Sequence, residues 1–288
     1  MAVSTTIHSS DIAEIVVHTP PVNALAVRDW YDLADAVRHS GHDPAVRAAL
    51  VRAKGRGFNA GVNIKEMQRT NDFDALLGAN RACYAAFAAI YDCEVPVIAA
   101  VHGFCLGGGV GLAGNADIVV ASEDAYFGLP EVDRGALGAA THLGRLVPQH
   151  LMRAMVYTCR NVRATELHAY GSVLSVVPPA ELRAEALAVA GEIAQKDPQV
   201  IRRAKEVLNG IDPVDVKRSY RFEQGFTYEL TLTGAGGAHR DGFVAERETR
   251  ETRETRESAD CEEAADKGPP LSPLPYLAHT TTDTDGTR

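Results

Sequence analysis

Three consecutive glycines, Gly107 to Gly109, stand between two apolar runs at residues 97–101 and 118–121, and Gly111 follows one residue later. A flexible linker does not normally interrupt two buried strands, so these glycines indicate a turn whose backbone is itself needed. Glycine lets the main chain approach another group closely and adopt φ angles that side chains disfavour. If a helix begins at such a turn, its first N–H groups lack partners in the helix and favour negative charge. The stretch can therefore place backbone donors in a cavity.

A second glycine-containing loop, GRGFNAGVNIKEM at residues 55–67, follows another apolar run at 48–53. Taken alone, a glycine-rich loop after a strand is more often an ordinary turn than a binding site. Two such loops facing each other would form a site for an oxygen that becomes negative during a reaction. The Gly-x-Gly-x-x-Gly pattern of a dinucleotide site is not matched in its strand–helix context.

Alternating apolar patterns predict an α/β domain followed by a helical C-terminal part. Strands are predicted at 12–18, 48–53, 95–103, 116–122 and 171–177. Helices are predicted at 28–40, 72–93, 180–195, 198–209 and 213–232, the fourth of them with proline at its start. We divide the chain into a core at 1–195, a helical region at 196–245, and a tail at 246–288. The tail opens with ERETRETRETRE at 246–257, where Glu and Arg side chains can pair on a frayed helix. From 258 to 288 an acidic, Pro- and Thr-rich composition predicts disorder.

Composition excludes several classes of protein. The formal net charge of −9 argues against non-specific nucleic-acid binding, which needs a basic surface. Five scattered cysteines have neither zinc-site spacing nor pairs, so we expect reduced thiols and no metal. No apolar run reaches the roughly 20 residues of a membrane span, and the N-terminus lacks a signal-peptide pattern. We therefore expect a cytoplasmic protein that binds neither membrane nor nucleic acid.

Three motifs identify a family resemblance that runs in order from about residue 12 to 245. They are PVNAL at 21–25, GFNAGVNIKEM at 57–67, and PVIAAVHGFCLGGGVGLAGNADIVVASEDAYFGLPEV at 96–132. They resemble the crotonase superfamily of enoyl-CoA hydratases and isomerases. The resemblance implies a spiral ββα core with a helical C-terminal trimerisation region, forming a homotrimer or a dimer of trimers. It also implies an acyl-CoA thioester as substrate, with coenzyme A as part of that substrate and no separate cofactor.

The resemblance assigns roles to particular positions. The N–H groups of Val62 and Gly108 would donate to the thioester oxygen, and Glu131 of FGLPEV would be the catalytic carboxylate. Many hydratases of this superfamily carry a second glutamate where this chain has Gly111, so ordinary hydration is in doubt, and the glycine predicts a roomier pocket. The positions expected to bind substrate or coenzyme A are Val22, Ala24, Ala60, Gly61, Asn63, Ile64, Gly107, Gly111 and Asp133.

Three functions remain open on the sequence. The stretches FGLPEVDRGALGAATHLGRLVPQHLMR and SYRFEQGFTYEL resemble the branch of the superfamily that opens steroid ring D, in which water attacks a ring ketone and a carbon–carbon bond breaks. An ordinary enoyl-CoA hydratase or isomerase is the first alternative, since an isomerase can work with one carboxylate. A non-catalytic CoA-binding subunit is the second.

Other polar residues have a structural and a functional interpretation. His142 could assist proton transfer or be a satisfied structural histidine, with equal weight. We expect His102 to anchor its loop. Arg134 and Arg145 are expected in structural ion pairs. The cations Arg52, Lys54 and Arg56 could meet the phosphates of coenzyme A or form a solvated face, and aromatic residues at 220, 222, 226 and 228 are expected in the core or a trimer contact.

Overall fold

The computed structural model describes residues 1–66 and 73–234, together with Gly242 and Ala245. The chain divides into two units, Met1–Asp241 and Gly242–Arg288, and every element below belongs to the first. The Glu-Thr-Arg repeat at 246–257 and the predicted disorder of 258–288 lie outside the described residues. The proposed boundary at residue 195 stays a prediction.

A six-stranded sheet in the order β1-β2-β3-β4-β6-β9 forms the centre of the first unit. Its strands are β1 (Val3–Ile7), β2 (Ile12–Val17), β3 (Ala48–Ala53), β4 (Val97–Val101), β6 (Ile118–Ser122) and β9 (Ser175–Val177). Only β1 pairs antiparallel, and the other neighbours run parallel. Parallel strands are covered on both faces, which explains their continuous apolar runs. A second sheet contains β5 (Phe104–Leu106), β7 (Tyr126–Gly128) and β8 (Val162–Arg163).

Helices cover the sheet and build the C-terminal region. They are α1 (Val27–His42), α2 (Phe73–Tyr91), α3 (Gly108–Asn115), α4 (Ala140–Leu143), α5 (Gln149–Thr158), α6 (Ala164–Ala169), α7 (Leu182–Ala194), α8 (Pro198–Ile211) and α9 (Val216–Leu232). A short 3₁₀ turn covers Val132–Arg134. Among the described residues, no helix combines the length and the apolar character needed to cross a bilayer.

The site is positioned by β3 and β4. These strands are parallel neighbours, so the loops after them leave the sheet at the same edge. Isolated bridges then join Leu25 to Val62 and Asn59 to Cys105, which ties the 55–63 loop to the chain before α1 and to β5. The two glycine-containing loops of the sequence are thereby brought together.

A buried carboxylate on β2 gathers three basic side chains from neighbouring parts of the chain. Glu14 is 3% exposed and accepts hydrogen bonds from Arg52, from His8 at 2.7 Å, and from Arg183 through two contacts of 2.7 Å. Hydrogen bonds from Arg183, together with those from Arg52 and His8, lower the pKa of Glu14 to about 2 despite its burial. The guanidinium of Arg52 is therefore held by Glu14, and its contact with a coenzyme A phosphate stays a prediction.

Replacing Glu14 with glutamine is expected to lower the free energy of unfolding by roughly 2–3 kcal/mol at pH 7, because two arginines lose their carboxylate. The folded pKa lies below the ordinary value, so the stabilisation is complete above about pH 4.5 and disappears as the pH falls toward 2. Urea unfolding of both proteins at pH 7 and pH 3 measures this difference. A gap between the two proteins that does not narrow at pH 3 would contradict the assignment.

Candidate functional site

A cavity of about 130 Å³ opens where the two loops meet, between α2, α3 and α9. It is mainly apolar, with Glu131 and Arg134 as its charged lining residues in the described part of the chain. The lining residues are Ala60, Gly61, Val62, Ile64, Leu76, Ala79, Asn80, Cys83, Phe87, Gly108, Glu131, Arg134, Ala136, Leu137, Gly138, Ala139, Tyr220 and Thr227. A concave, mainly apolar cavity with few polar groups is typical of a small-molecule site.

Two backbone N–H groups at this cavity are unpaired within residues 1–66 and 73–234. Gly61 O accepts from Leu25 N–H and Leu25 O accepts from Asn63 N–H, which leaves the N–H of Val62 between them without a partner. Gly108 begins α3, so its N–H has no acceptor in the helix. A Cβ built on Gly61 would lie 3.2 Å from Gly108 N, so the two loops touch at these residues. Both predicted oxyanion donors therefore line one cavity.

Two buried asparagines hold the first loop, and the sequence reasoning did not find them. Asn59 is 1% exposed; its Oδ1 accepts from Gly61 N–H at 2.8 Å and its Nδ2 donates to Asn23 O at 2.6 Å. Asn23 in turn donates to Lys54 O at 2.7 Å and to Gly57 O at 2.8 Å. The sequence does contain a signal for Asn59, which stands two residues before Gly61, because an asparagine side chain commonly accepts a hydrogen bond from a backbone N–H two residues further on.

Gly107 brings the backbone of the second loop against Glu131. Its φ of 56° and ψ of −115° belong to a region that is open mainly to glycine. A Cβ at this position would overlap Glu131 Oε1. The glycine is therefore needed twice, for its own conformation and for the approach of the carboxylate to the start of α3.

Glu131 is the carboxylate of the cavity, and its environment is poorly solvated. Its Oε2 is buried and has no hydrogen-bond partner among the described residues. Burial raises the pKa of Glu131 to about 8, and the Arg134 guanidinium opposes this shift without cancelling it. Such a carboxyl exchanges its proton near neutral pH, which suits general acid–base chemistry.

The space at Gly111 differs from the prediction. A Cβ on Gly111 would overlap the tip of the Phe87 ring, so the volume left by the missing side chain is filled. Phe87 is 2% exposed and itself lines the cavity, whereas Gly111 does not. The expectation that Gly111 enlarges the pocket is therefore wrong, because a ring from α2 occupies that space.

His142 lies behind the cavity wall. Its ring packs edge-on against Phe87 and is tilted against Tyr220, with 4.9 Å between ring centroids in each case. Asn115 Nδ2 donates to Gly111 O and to His142 Nδ1, which places the histidine hydrogen on Nε2. Burial, with a contribution from Arg145, lowers the pKa of His142 to about 3, so the ring is neutral at physiological pH. This geometry supports the structural interpretation and not substrate contact.

The other predicted residues divide by position. Asp133 is exposed and outside the cavity, because residues 132–134 form a 3₁₀ turn and not the extended loop that would have placed it beside Glu131. Asn63 accepts from Glu66 N–H at 3.4 Å, as a residue that begins a helical turn does. His102 lies 2.9 Å from Gly55 O, as expected of a loop anchor, and Arg145 pairs with Asp212 at 3.1 Å.

The remaining positions predicted to contact coenzyme A lie in the first loop or in the segment just before α1. Ala60, Gly61 and Ile64 line the cavity. Val22 and Ala24 are half-buried on either side of Asn23, and Lys54 and Arg56 are exposed. Their assignment to coenzyme A stays a prediction.

The C-terminal helix α9 closes the site through contacts that sequence reasoning missed. Thr227 Oγ1 donates to Leu137 O at 2.6 Å and accepts from Leu137 N–H at 3.1 Å. Glu223 accepts from Ala140 N–H at 2.8 Å and from Thr141 N–H at 3.2 Å. The loop that forms the wall opposite Glu131 is thus fixed to α9. Sequence periodicity indicates a buried helix face but not which loop that face will hold.

Comparisons with known proteins agree with this geometry. Residues 8–247 match the family model of enoyl-CoA hydratase/isomerase. The chain is 58% identical over 250 residues to the (7aS)-7a-methyl-1,5-dioxo-2,3,5,6,7,7a-hexahydro-1H-indene-carboxyl-CoA hydrolase of Rhodococcus jostii RHA1, covering 87% of this chain and 97% of the relative. It is 59% identical over 244 residues to the protein of the same name from Mycobacterium tuberculosis H37Rv, covering 85% and 99%. An enoyl-CoA hydratase/isomerase structure from Xanthobacter autotrophicus Py2 superposes with a TM-score of 0.78 at 27% identity, over 86% of this chain and 93% of that one. The predicted α/β crotonase fold is confirmed, whereas the trimerisation role of the C-terminal helices stays a prediction; the chain belongs to the enoyl-CoA hydratase/isomerase family.

Proposed function

We propose that this protein is a hydrolase that opens the five-membered ring of a steroid-derived, bicyclic indene-dione carboxyl-CoA thioester. The observation that carries the proposal is one buried carboxylate, Glu131, in a cavity that also holds the unpaired N–H groups of Val62 and Gly108. A family hydratase would have a second carboxylate at position 111, where Phe87 now leaves no space. The two relatives at 58% and 59% identity, both named for this hydrolysis, support the substrate assignment.

In the proposed reaction the thioester oxygen accepts hydrogen bonds from Val62 and Gly108. Donors placed in advance in an apolar site stabilise a developing negative charge more strongly than water does. The dipole of α3, which begins at Gly108, acts in the same direction. The proposed reaction uses no metal and no separate cofactor, and coenzyme A is part of the substrate.

Glu131 in its ionised form would take a proton from water as the water oxygen attacks the ring ketone. The resulting tetrahedral centre collapses to a carboxyl group, and the adjacent ring carbon–carbon bond breaks. Its electron pair passes through the conjugated alkene to the thioester oxygen, forming a dienolate. Return of a proton to carbon then completes the addition of one water molecule, and the product carries a new carboxylate.

An assay with two substrates tests the function. The protein is expected to open the ring of the indene-dione carboxyl-CoA and to leave crotonyl-CoA largely unchanged, because the hydration of crotonyl-CoA uses a pair of carboxylates. Mass spectrometry with fragmentation distinguishes ring opening from hydration, since both add one water. Rapid hydration of crotonyl-CoA without ring opening would favour the hydratase alternative, and binding without turnover would favour the CoA-binding subunit.

We also propose a cytoplasmic homotrimer, or a dimer of trimers. Support for association comes from large apolar side chains exposed on α8 and α9, among them Ile211 at 70% and Phe222 at 71%. Exposed apolar surface of this kind commonly marks a protein interface. The cytoplasm is supported by the substrate class, because highly charged CoA thioesters do not cross membranes unaided.

A further inference from the structure

The position of Phe87 opposite Gly111 has a consequence for substrate choice. Five residues of α2, spread over about three turns on one side of the helix, line the cavity, and Phe87 is the last of them. They are Leu76, Ala79, Asn80, Cys83 and Phe87. Phe87 is much the largest of these side chains, so the shape of the cavity beside α3 depends mainly on its ring.

The ring of Phe87 is held from three sides by other rings. Trp30 meets it edge-on at 5.7 Å between centroids, His142 edge-on at 4.9 Å, and Tyr220 at 5.2 Å with a tilt of 58°. Aromatic groups at these separations pack favourably and restrict one another. These contacts restrain the Phe87 ring, so it opposes a side chain at position 111.

Gly111 lies three residues after Gly108 on the same helix, one turn from the unpaired N–H. A side chain at 111 would project into the ring of Phe87, which lines the cavity. The structure assigns to Phe87 the role of a specificity-determining residue, which packs against the ring system of a bicyclic acyl group and requires glycine at 111. This inference deepens the proposed function and rests on it for the identity of the acyl group.

Replacing Phe87 with leucine is expected to raise the dissociation constant of the indene-dione carboxyl-CoA about tenfold or more, while that of free coenzyme A changes less than about twofold. The loss of apolar contact in a binding pocket has effects of this order. Isothermal titration calorimetry measures both constants. Phe127→Leu is the matched control, because Phe127 is fully buried outside the cavity and its change should lower stability without altering the ratio of the two constants.

A double-mutant cycle tests the link between positions 87 and 111. Gly111→Ala alone is expected to lower kcat/KM for ring opening about tenfold or more, because its methyl group collides with the Phe87 ring. In the Phe87→Leu background, the same change should cost less than about threefold. Equal losses in both backgrounds, or an unchanged ratio of dissociation constants in Phe87→Leu, would overturn the inference.

The outcomes separate this inference from the proposed function. If the wild-type protein does not open the ring, the proposed function fails, whatever the variants do. If it opens the ring and Phe87→Leu binds the bicyclic thioester as tightly as the wild type, only the specificity assignment fails.

Discussion

Replacing Glu131 with glutamine is expected to lower kcat/KM for ring opening by about 10²–10⁴-fold, because the site loses the group that activates water. Glutamine keeps the size of the side chain, so binding of the CoA thioester should change little. Steady-state kinetics and a binding titration measure the two effects. Glu123→Gln is a suitable control, since Glu123 is exposed directly after β6 and does not line the cavity. Full activity in Glu131→Gln would place the base elsewhere.

The pH dependence gives a second readout of the same residue. The pKa of Glu131 is raised to about 8 by burial, so most of the free protein holds the protonated form at neutral pH. If the ionised form is the base, kcat/KM should rise with pH and level off above about 8. The rise should disappear in Glu131→Gln. A profile that falls through this range would mean that the protonated form is the active one.

Stability distinguishes a catalytic loss from a folding defect. A carboxyl whose pKa is higher in the folded protein than in the unfolded chain destabilises the fold as the pH rises between the two values. For Glu131 this penalty is absent below about pH 4.5 and complete above about 8. The glutamine variant should therefore be more thermally stable than the wild type at pH 8.5 and similar to it near pH 4.5. A variant that is inactive and also less stable at pH 8.5 would not fit this account.

The large elements could be predicted from the sequence because their patterns are long. The strand predicted at 48–53 and the helix predicted to begin at 198 match the structure at these bounds, and Trp30, Leu33 and Val37 lie on the buried face of α1. The strands β5, β7 and β8 were not predicted. Each has only two or three residues, which is too few to show alternation.

The parts of the candidate site that depend on backbone conformation could be predicted from the sequence. The parts that depend on side-chain packing between distant segments could not. Glycines at 61 and 107 carry a local conformational signal, and both have positive φ. The relation between Gly111 and Phe87 joins two helices, and no spacing along the chain indicates it. Likewise the sequence left the reactive and the structural interpretation of His142 with equal weight, and only the surrounding rings and Asn115 favour the structural one.

Replacing Gly107 with alanine is expected to lower kcat/KM at least about 100-fold, since small displacements of catalytic groups have effects of this size. The backbone conformation at Gly107 alone makes a side chain costly, by roughly 1–3 kcal/mol. The added methyl group would also overlap Glu131 Oε1, so the carboxylate or the start of α3 must move. Either movement separates Glu131 from the N–H of Gly108.

Gly171→Ala separates these two effects. Gly171 also has positive φ, 80°, but a Cβ there would meet nothing within 4 Å. Both variants should lose stability through backbone strain, and this loss can be measured by thermal unfolding. Only Gly107→Ala should lose activity, because only at Gly107 does the missing side chain make room for the catalytic carboxylate. Equal activity in the two variants would mean that the approach of Glu131 to Gly107 is not needed for the reaction.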